Sequence, residues 1–387
     1  MHITELSPVT CITSKEKHHF FGYYDKAQWD MSGRYILALE VDFIDRSPSY
    51  SDVAQIGMID TESNYKFIPL GKTGAWCWQQ GCMLQWLPRS ASEIVYNHRI
   101  SDRFVSIVQD VFTGKRRTLP RPIYTISNDG KKALSLNFSR LAITRPGYGY
   151  NGLVDIWHDS LHPSEDGIYL MDMETGDHEL IISLDQLYNY QKEESMEGAK
   201  HWVNHLLFSP DDNRFIFLHR WLPPGARKHR TRFFTANSDG TDLHLSKLQG
   251  GSHFIWCDEE NILIWGYLND ITKDSAYYIC RDGTQEIRPM ARGLLNSDGH
   301  CTVAPKGTWV LTDSYPNKEH KRALILYNQV TGQRIDIGYF YSPPVSQEEF
   351  RCDLHPCWNR TGDLVCIDSV HDGTRQMYVI DVSKFTS

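Results

Sequence analysis

One pattern returns seven times along the chain and limits what the chain can fold into. Each copy has an aromatic or apolar residue, a short polar turn and a four-residue run that is typical of a β-strand. The turns are rich in Asp, Asn, Gly and Ser, which tolerate the backbone angles of a tight hairpin. A unit repeated in this way predicts an architecture built from hairpins. The anchoring residues of the seven copies are Trp29, Trp86, Ile126, Phe208, Trp256, Val303 and Trp358.

A second hairpin follows several of these units, and two hairpins give the four antiparallel strands of a propeller blade. The last unit ends after its third strand, at residues 377–383, whereas residues 3–12 have the character of a strand. We therefore predict an all-β fold, a seven-bladed β-propeller that forms one domain over residues 1–387. Its ring is closed by pairing the N-terminal strand with the C-terminal blade, which leaves no open sheet edge. A pair of β-sandwiches is the alternative.

The composition excludes several classes of protein. The 48 acidic and 40 basic residues give a net charge of −8, so we expect no nucleic-acid partner. The chain lacks an apolar run of about 18 residues, so we expect no membrane span. The N-terminal residues have no apolar core of a signal peptide, which predicts a cytoplasmic protein, or a periplasmic one if a leader has been removed. The nine cysteines form no CxxC pair, which favours reduced thiols.

Four consecutive units carry a histidine three residues before the anchor, at His205, His253, His300 and His355. Inner strands of a propeller surround a central channel, so we expect these imidazoles to converge there. Such a group suits a divalent metal or proton transfer near neutral pH. Asp353 lies on the same strand face as His355 and adds a carboxylate, which favours Mn, Ca or Zn without choosing among them. Alternatively, the histidines serve only to hold neighbouring blades together.

Further candidates lie outside this repeat position. Arg99 and Arg220 each follow a histidine at the end of an inner hairpin, and a guanidinium matches the geometry of a carboxylate. An insertion at residues 144–167 carries a glycine-hinged loop, and residues 184–200 predict a short helix. The predicted substrate-binding residues are Arg99, Arg145, Tyr148, Tyr150 and His201. Alternatively, the arginines form ion pairs between blades and the loop is an ordinary packed one.

Several catalytic signatures are absent from the sequence. It contains no GxSxG, P-loop, HExxH or dinucleotide-binding motif, which disfavours serine hydrolase, nucleotide hydrolase and Rossmann chemistry.

Residues 252–267, 299–316 and 353–383 resemble oligogalacturonate lyase, and the repeat layout extends this similarity more loosely over the whole chain. The ulvan lyases are similar as well. The resemblance implies β-elimination at a uronic acid, with an acidic oligosaccharide or polysaccharide as substrate. It places His253 at the essential histidine and His300 and His355 at metal-ligand histidines. Asp353 replaces another ligand histidine, and Phe350 replaces a ligand glutamine.

The ulvan-lyase pattern of His, Tyr and Arg offers a second assignment. His98 and Arg220 match its histidine and arginine, and His205 stands near the tyrosine position. The predicted catalytic residues are therefore His98, His205, Arg220 and His253, and the predicted metal ligands are His300, Asp353 and His355. Two further hypotheses stay open, a glycoside hydrolase on the same scaffold and a non-catalytic propeller that binds glycan or protein.

Overall fold

The computed structural model describes residues 1–268 and 275–386. Two short strands come first, β1 (His2–Thr4) and β2 (Val9–Cys11). The blades then follow one another along the chain. The first three contain, in order, β3 (His18–Phe20), β4 (Tyr35–Val41), β5 (Ala54–Asp60), β6 (Lys66–Thr73), β7 (Gln85–Trp86), β8 (Glu93–Ile100), β9 (Arg103–Asp110), β10 (Arg116–Leu119), β11 (Thr125–Ile126), β12 (Lys132–Ser135), β13 (Gly167–Asp172) and β14 (His178–Ser183).

The remaining four blades complete the ring. Their strands are β15 (Lys200–Phe208), β16 (Arg214–Leu222), β17 (Arg230–Asn237), β18 (His244–Gln249), β19 (Phe254–Trp256), β20 (Asn261–Gly266), β21 (Ala276–Arg281), β22 (Ile287–Met290), β23 (Thr302–Val303), β24 (Trp309–Asp313), β25 (Lys321–Asn328), β26 (Arg334–Tyr341), β27 (Cys357–Trp358), β28 (Leu364–Ser369) and β29 (Gln376–Asp381). Within each of the seven sheets, consecutive strands pair in antiparallel fashion. The predicted seven-bladed propeller is confirmed.

Ring closure uses both ends of the chain. Strand β2 pairs antiparallel with β29, with Thr10 opposite Val379, and so supplies the fourth strand of the last blade. This is the closure that the sequence predicts. The structure adds a second contact, because β1 runs parallel to β26 as a fifth strand of the sixth blade, with Ile3 opposite Ile335. The N-terminal segment therefore holds two adjacent blades.

The insertion in the third blade is fixed by one buried arginine. Helix α1 (Phe138–Thr144) precedes it, capped by the side chain of Asn137, and carries Arg140, which is fully buried. Arg140 pairs with Asp155 at 3.1 Å and donates to the carbonyl groups of Leu161 and His201 at 2.7 Å each. One side chain thus ties the insertion to the fourth blade.

The other helices are short. Helix α2 (Leu184–Asn189) starts the polar stretch for which a helix is predicted, and Ser183 caps it by accepting a hydrogen bond from the amide of Gln186 at 3.0 Å. Helix α3 (Ser383–Thr386) ends the described chain, and single 3₁₀ turns lie at Glu194–Met196 and Glu348–Phe350. No helix among the described residues is long and apolar enough to cross a membrane.

The first blade departs from the repeat in a way that matters for the centre of the ring. Its inner strand is β3, and Trp29, the anchor in the sequence pattern, forms only an isolated bridge with Ile36. Residues 21–28 leave the sheet between these two points. The rings of Tyr23 and Tyr24 contact histidines from blades four to seven, so this segment lies across the central channel.

Candidate functional site

The four histidines at the repeated position do converge on the channel. The ring centres of His253 and His300 lie 4.1 Å apart, and those of His300 and His355 lie 4.3 Å apart. His205 stands on the other side of Tyr23, whose ring centre is 5.1 Å from it and 5.3 Å from that of His355. All four imidazoles are buried. The inner strands therefore bring together residues that are far apart in sequence.

His205 is held by an acid and an aromatic ring, and its Nδ1 alone lacks a hydrogen-bond partner among the described residues. Its Nε2 lies 3.1 Å from a carboxylate oxygen of Asp25, which also pairs with the buried Lys26 at 2.9 Å. Its ring stacks on Phe254 at 3.9 Å. Burial lowers the pKa of His205 to about 4, although Asp25 opposes that shift. The ring is thus neutral near pH 7 and belongs to a packed network in the channel.

His253 and His300 are oriented by carboxylates. The Nδ1 atom of His253 lies 2.8 Å from Asp298, and that of His300 lies 2.9 Å from Asp313. An Nδ1–H bonded to a carboxylate leaves Nε2 as the atom with a free lone pair. Burial, with His300 as a further contributor, lowers the pKa of His253. Both rings can therefore act through Nε2, as a base or as a ligand.

Three side chains could hold a metal ion. Ligand atoms of His300, Asp353 and His355 lie within 4.8 Å of one another, and all three residues are buried. The Nε2 atom of His300 and both ring nitrogens of His355 have no hydrogen-bond partner among the described residues. Buried polar atoms without a partner are unusual, and a cation would satisfy them. The donor set of two imidazoles and one carboxylate suits Mn or Zn.

Two arginines also form ion pairs with the carboxylate of Asp353. Arg322 lies 2.6 Å from one oxygen of Asp353, and the Nε of Arg351 lies 2.9 Å from the other. Burial alone would raise the pKa of Asp353, but these guanidinium groups hold it well below its ordinary value. Phe350, at the position of a ligand glutamine in the resemblance, offers no donor atom. The site therefore has fewer free ligands than the resemblance implies.

Arg351 links the metal candidates to Tyr148. Its Nη2 donates to the Tyr148 hydroxyl at 2.9 Å, so the phenolic proton of Tyr148 is free to point elsewhere. Burial alone would raise the pKa of Tyr148, but Arg351 and Arg145 together bring it below its ordinary value. The Arg145 guanidinium lies 4.8 Å from the centre of the Tyr148 ring. This tyrosine is thus a stronger acid than an isolated one.

A basic cavity of about 1760 Å³ opens beside this group. Asp298 and Tyr315 line it on the channel side, and Arg145 and Arg220 line it near Tyr148. Arg220 is buried, and the only side-chain oxygen it contacts among the described residues is the Thr231 hydroxyl, at 3.2 Å from its Nε. Burial, reinforced by Arg145, lowers the pKa of Arg220 to about 10. A buried cation without a carboxylate partner favours an anionic ligand.

His98 and Arg99 lie apart from these residues. The Nδ1 of His98 is 3.4 Å from the Thr73 hydroxyl, and the ring is half-buried on β8. Arg99 stacks on Tyr50, with its guanidinium 3.7 Å from the ring centre, and donates to the Tyr50 carbonyl at 2.5 Å. The structure records no contact between this pair and the channel histidines.

Tyr150 and His201 are packed inside the protein. Tyr150 is fully buried, stacks on Phe138 at 4.3 Å and accepts a hydrogen bond from Asn97 at 2.8 Å. His201 is also fully buried, and its Nδ1 lies 2.8 Å from the Nε2 of His219. Neither ring has a face open to a sugar. Both residues therefore contribute to packing, and neither can contact a substrate.

Several residues of the site have no place in the sequence-based prediction. They are Asp298, Tyr315, Arg322, Arg351 and the basic segment at residues 227–230. One signal for Asp298 is present in the sequence, because it precedes His300 by two residues as Asp353 precedes His355. The arginines carry no such signal, since they come from strands and turns outside the repeated position.

Comparison with known proteins identifies relatives of the fold. No protein-family model matches the chain, and no curated protein matches it either. The solved structure of oligogalacturonate lyase from Vibrio parahaemolyticus is 14% identical with a TM-score of 0.69, and the match covers 98% of this chain and 96% of that one. An oligogalacturonate lyase in complex with manganese is 15% identical with a TM-score of 0.69, over 97% of this chain and 93% of that one.

Propellers of other proteins share the architecture. The β-propeller domain of the Trilobed protease from Pyrococcus furiosus is 11% identical with a TM-score of 0.54, and the match covers 94% of this chain and 96% of that one. At such identities the likeness concerns the fold. The similarity to oligogalacturonate lyase suggested by residues 252–383 therefore extends to the architecture of the whole ring, and function has to be argued from the site.

Proposed function

We propose that this protein is a lyase that cleaves uronate-containing oligosaccharides by β-elimination. The observation that carries the proposal is the placement of Arg220 and Arg145, without carboxylate partners among the described residues, in a cavity whose wall includes Asp298, the partner of His253. β-Elimination at a uronate needs a group that offsets the carboxylate charge and a base that removes the neighbouring proton. The arginines line the cavity here, and the carboxylate that holds the base candidate lies in the same wall.

Charge neutralisation falls to the arginines. The C5 proton of a uronate is weakly acidic as long as the adjacent carboxylate keeps its full charge. A guanidinium that binds this carboxylate stabilises the carbanion-like transition state, an effect typically of about 2.7–4 kcal/mol for one well-placed donor. Arg220 is the better placed of the two because it is buried, whereas Arg145 is half-buried.

His253 is the proposed base. Asp298 holds its Nδ1–H, so that Nε2 carries the lone pair that accepts the C5 proton. The electron pair of the C5–H bond then forms the C4–C5 double bond, and the C4–O bond to the leaving sugar breaks. Asp298 also stabilises the imidazolium that results. Lowering of the His253 pKa by burial keeps the ring neutral and ready before substrate binds.

Tyr148 is the proposed proton donor to the leaving oxygen. Its hydroxyl oxygen accepts from Arg351, which leaves its own proton free to be donated, and the adjacent Arg145 lines the cavity. Arg351 and Arg145 stabilise the phenolate that forms when this proton leaves. His205, which stands near the tyrosine position of the ulvan-lyase pattern, is bonded to Asp25 and stacked on Phe254 instead.

A divalent metal fits next to this group. His300, His355 and Asp353 would hold it, as the unpartnered nitrogens of the two histidines indicate. When bound, such an ion supplies a second positive charge for the uronate carboxylate. Arg220 and the ion would then each neutralise part of the carboxylate charge.

The experiment is an activity screen with a matched pair of substrates. Oligogalacturonate and its methyl ester are incubated with the protein, with and without Mn²⁺, and formation of the unsaturated uronate is followed by ultraviolet absorbance. We expect the unmodified protein to form the unsaturated product faster from the free acid than from the methyl ester. In Arg220→Ala this difference in rate between the two substrates should disappear. Reducing ends that appear without absorbance would indicate a hydrolase. No cleavage of pectic, ulvan, glucuronan or glycosaminoglycan fragments would contradict the proposal and favour a binding propeller.

A further inference from the structure

The turn between β16 and β17 brings a second group of cations to the same cavity. Arg227, Lys228 and Arg230 line its outer part, at the exposed tip of this hairpin in the fourth blade. The residues that lead into the turn are Pro223, Pro224 and Gly225, and the positive φ of Gly225 allows the chain to reverse. The hairpin therefore presents its charges at the rim, while Arg145 and Arg220 lie deeper.

These cations differ from many arginines of the molecule in lacking an acidic partner. No carboxylate lies within ion-pair distance of Arg227, Lys228 or Arg230 among residues 1–268 and 275–386. Elsewhere arginines are paired, as in Arg34 with Asp60 at 2.7 Å and Arg46 with Asp52 at 2.6 Å. In a protein with a net charge of −8, a rim of unpaired cations is a local feature with a strong preference for anions.

The few acidic side chains of the cavity do not offset this charge. Asp298 is bonded to His253 at 2.8 Å, and Glu348 lies 3.5 Å from Arg351. Glu193 is the third acidic residue of the lining, and its carboxylate lies 3.4 Å from the Ser195 hydroxyl. These three carboxylates stand against seven Arg and Lys side chains in the lining, so the wall of the cavity carries a positive charge overall.

The size and the remaining walls of the cavity indicate a ligand longer than one sugar. Its volume of about 1760 Å³ exceeds the roughly 300–1,000 Å³ of a typical small-molecule site. Trp265 and Tyr267 line it as well and are half-buried, so parts of both side chains are accessible. Aromatic rings of this kind pack on the apolar faces of sugars. The cavity therefore offers exposed cations, buried cations and aromatic surface in one lining.

We propose that Arg227, Lys228 and Arg230 form a second anion subsite, which binds a carboxylate or sulfate on a sugar next to the uronate that is cleaved. This inference rests on the proposed function, in which Arg220 binds the carboxylate of the cleaved residue. The preferred substrate is then an oligosaccharide with negative charges on successive residues. Because the subsite binds a sugar that does not react, it holds the substrate and the transition state equally, which lowers KM and leaves kcat unchanged.

The test compares two double variants with the same change in net charge. Arg227→Ala/Lys228→Ala alters the rim, and Lys131→Ala/Lys132→Ala alters an exposed turn of the third blade that does not line the cavity. Each is combined with His253→Asn to prevent turnover. Affinity is measured by calorimetry for digalacturonate, trigalacturonate and a sulfated uronate oligosaccharide. We expect the rim variant to bind the longer and the sulfated ligands about ten-fold more weakly, since exposed ion pairs contribute modestly.

The outcomes separate this inference from the proposed function. Equal affinities for the two double variants, or no binding of any ligand to the His253→Asn protein, would overturn the subsite even if the unmodified enzyme forms product. A weakened rim variant together with an unmodified enzyme that forms no product would overturn the lyase and keep the anion subsite. With His253 present, the rim variant should raise KM for trigalacturonate and leave kcat unchanged. Stronger binding of the sulfated ligand identifies sulfate as the preferred anion.

Discussion

The two sides of the channel use the same repeated histidine in different ways. In the fourth blade, His205 is bonded to Asp25 through Nε2 and stacked on Phe254, and its Nδ1 alone lacks a hydrogen-bond partner among the described residues. In the sixth and seventh blades, the unpartnered ring nitrogens of His300 and His355 lie beside Asp353, close enough for the three side chains to share one ion. Both sides are equally buried. The difference lies in what the rest of the chain brings to them.

Residues 21–28 create this difference. They leave the first blade, place Asp25 and Lys26 against His205, and place the rings of Tyr23 and Tyr24 against the other histidines. This segment therefore gives His205 a carboxylate and gives His300 and His355 only aromatic rings, whereas the carboxylates beside those two histidines come from their own blades. A repeated position in sequence fixes where a side chain lies, while residues outside the repeat decide what it can do.

The sharpest way to break this comparison is to change one histidine on each side. His253→Asn should lower kcat by about 10²–10⁴, the usual contribution of a general base. His205→Asn should change kcat much less, because its Nε2 is bonded to Asp25. Initial rates of unsaturated-product formation measure both. Equal losses in the two variants would show that the two sides do not differ in function.

Two variants of the metal candidates separate charge balance from ligation. Asp353→Asn should destabilise the protein by about 3–5 kcal/mol, because it leaves the buried Arg322 and Arg351 without their carboxylate. His355→Gln should cost about 1 kcal/mol, since its nitrogens make no hydrogen bond among the described residues. Denaturant unfolding of the metal-free protein measures the free energies.

Metal content of the same two variants is the second measurement. Elemental analysis after dialysis against Mn²⁺ should find less metal in both than in the unmodified protein. Full retention of metal by His355→Gln would contradict its assignment as a ligand, whatever its stability.

Acid stability sharpens the contrast for His205. Its folded-state pKa of about 4 lies below the ordinary value of 6.5, and that of the buried His201 is also about 4. The unfolded chain therefore takes up protons first as the pH falls. This contribution to stability is complete above about pH 6.5 and is lost towards pH 4, at ~1.4 kcal/mol per pH unit for each histidine.

Denaturant unfolding between pH 7 and pH 4 measures this slope. His205→Gln should reduce it relative to the unmodified protein. An unchanged slope would mean that His205 is protonated in the folded state and forms a true ion pair with Asp25.

The smallest effect is expected outside the channel. His98→Gln should leave kcat and KM within about two-fold, because His98 contacts the Thr73 hydroxyl and lies apart from the channel group. Loss of its one long contact to Thr73 should alter the free energy of unfolding by about 1 kcal/mol or less. Initial-rate kinetics with oligogalacturonate provide the check. A large loss of kcat would restore the assignment of His98 suggested by the ulvan-lyase pattern.

The sequence predicts the ring well and the site in part. Periodic hairpins identify seven blades and the closing strand, because each blade repeats the same local requirements for turns and apolar strands. The same alignment brings His253, His300 and His355 together. It does not identify Arg322 and Arg351 as partners of Asp353, since these contacts depend on side chains from separate elements. Tyr150 is an error of the opposite kind, a residue predicted in the site that lies outside it. The loop motif gives no sign that Phe138 covers its ring.

The double attachment of the N-terminal segment has a consequence for how the molecule opens. Strands β1 and β2 join the sixth and seventh blades, which carry His300 and His355. A proteolytic cut or a fusion that displaces the first dozen residues would expose β26 and β29 as the edge strands of both neighbouring sheets. The sixth and seventh blades, which carry the proposed metal ligands, would then be destabilised first. Their exposed edge strands could pair with a second molecule.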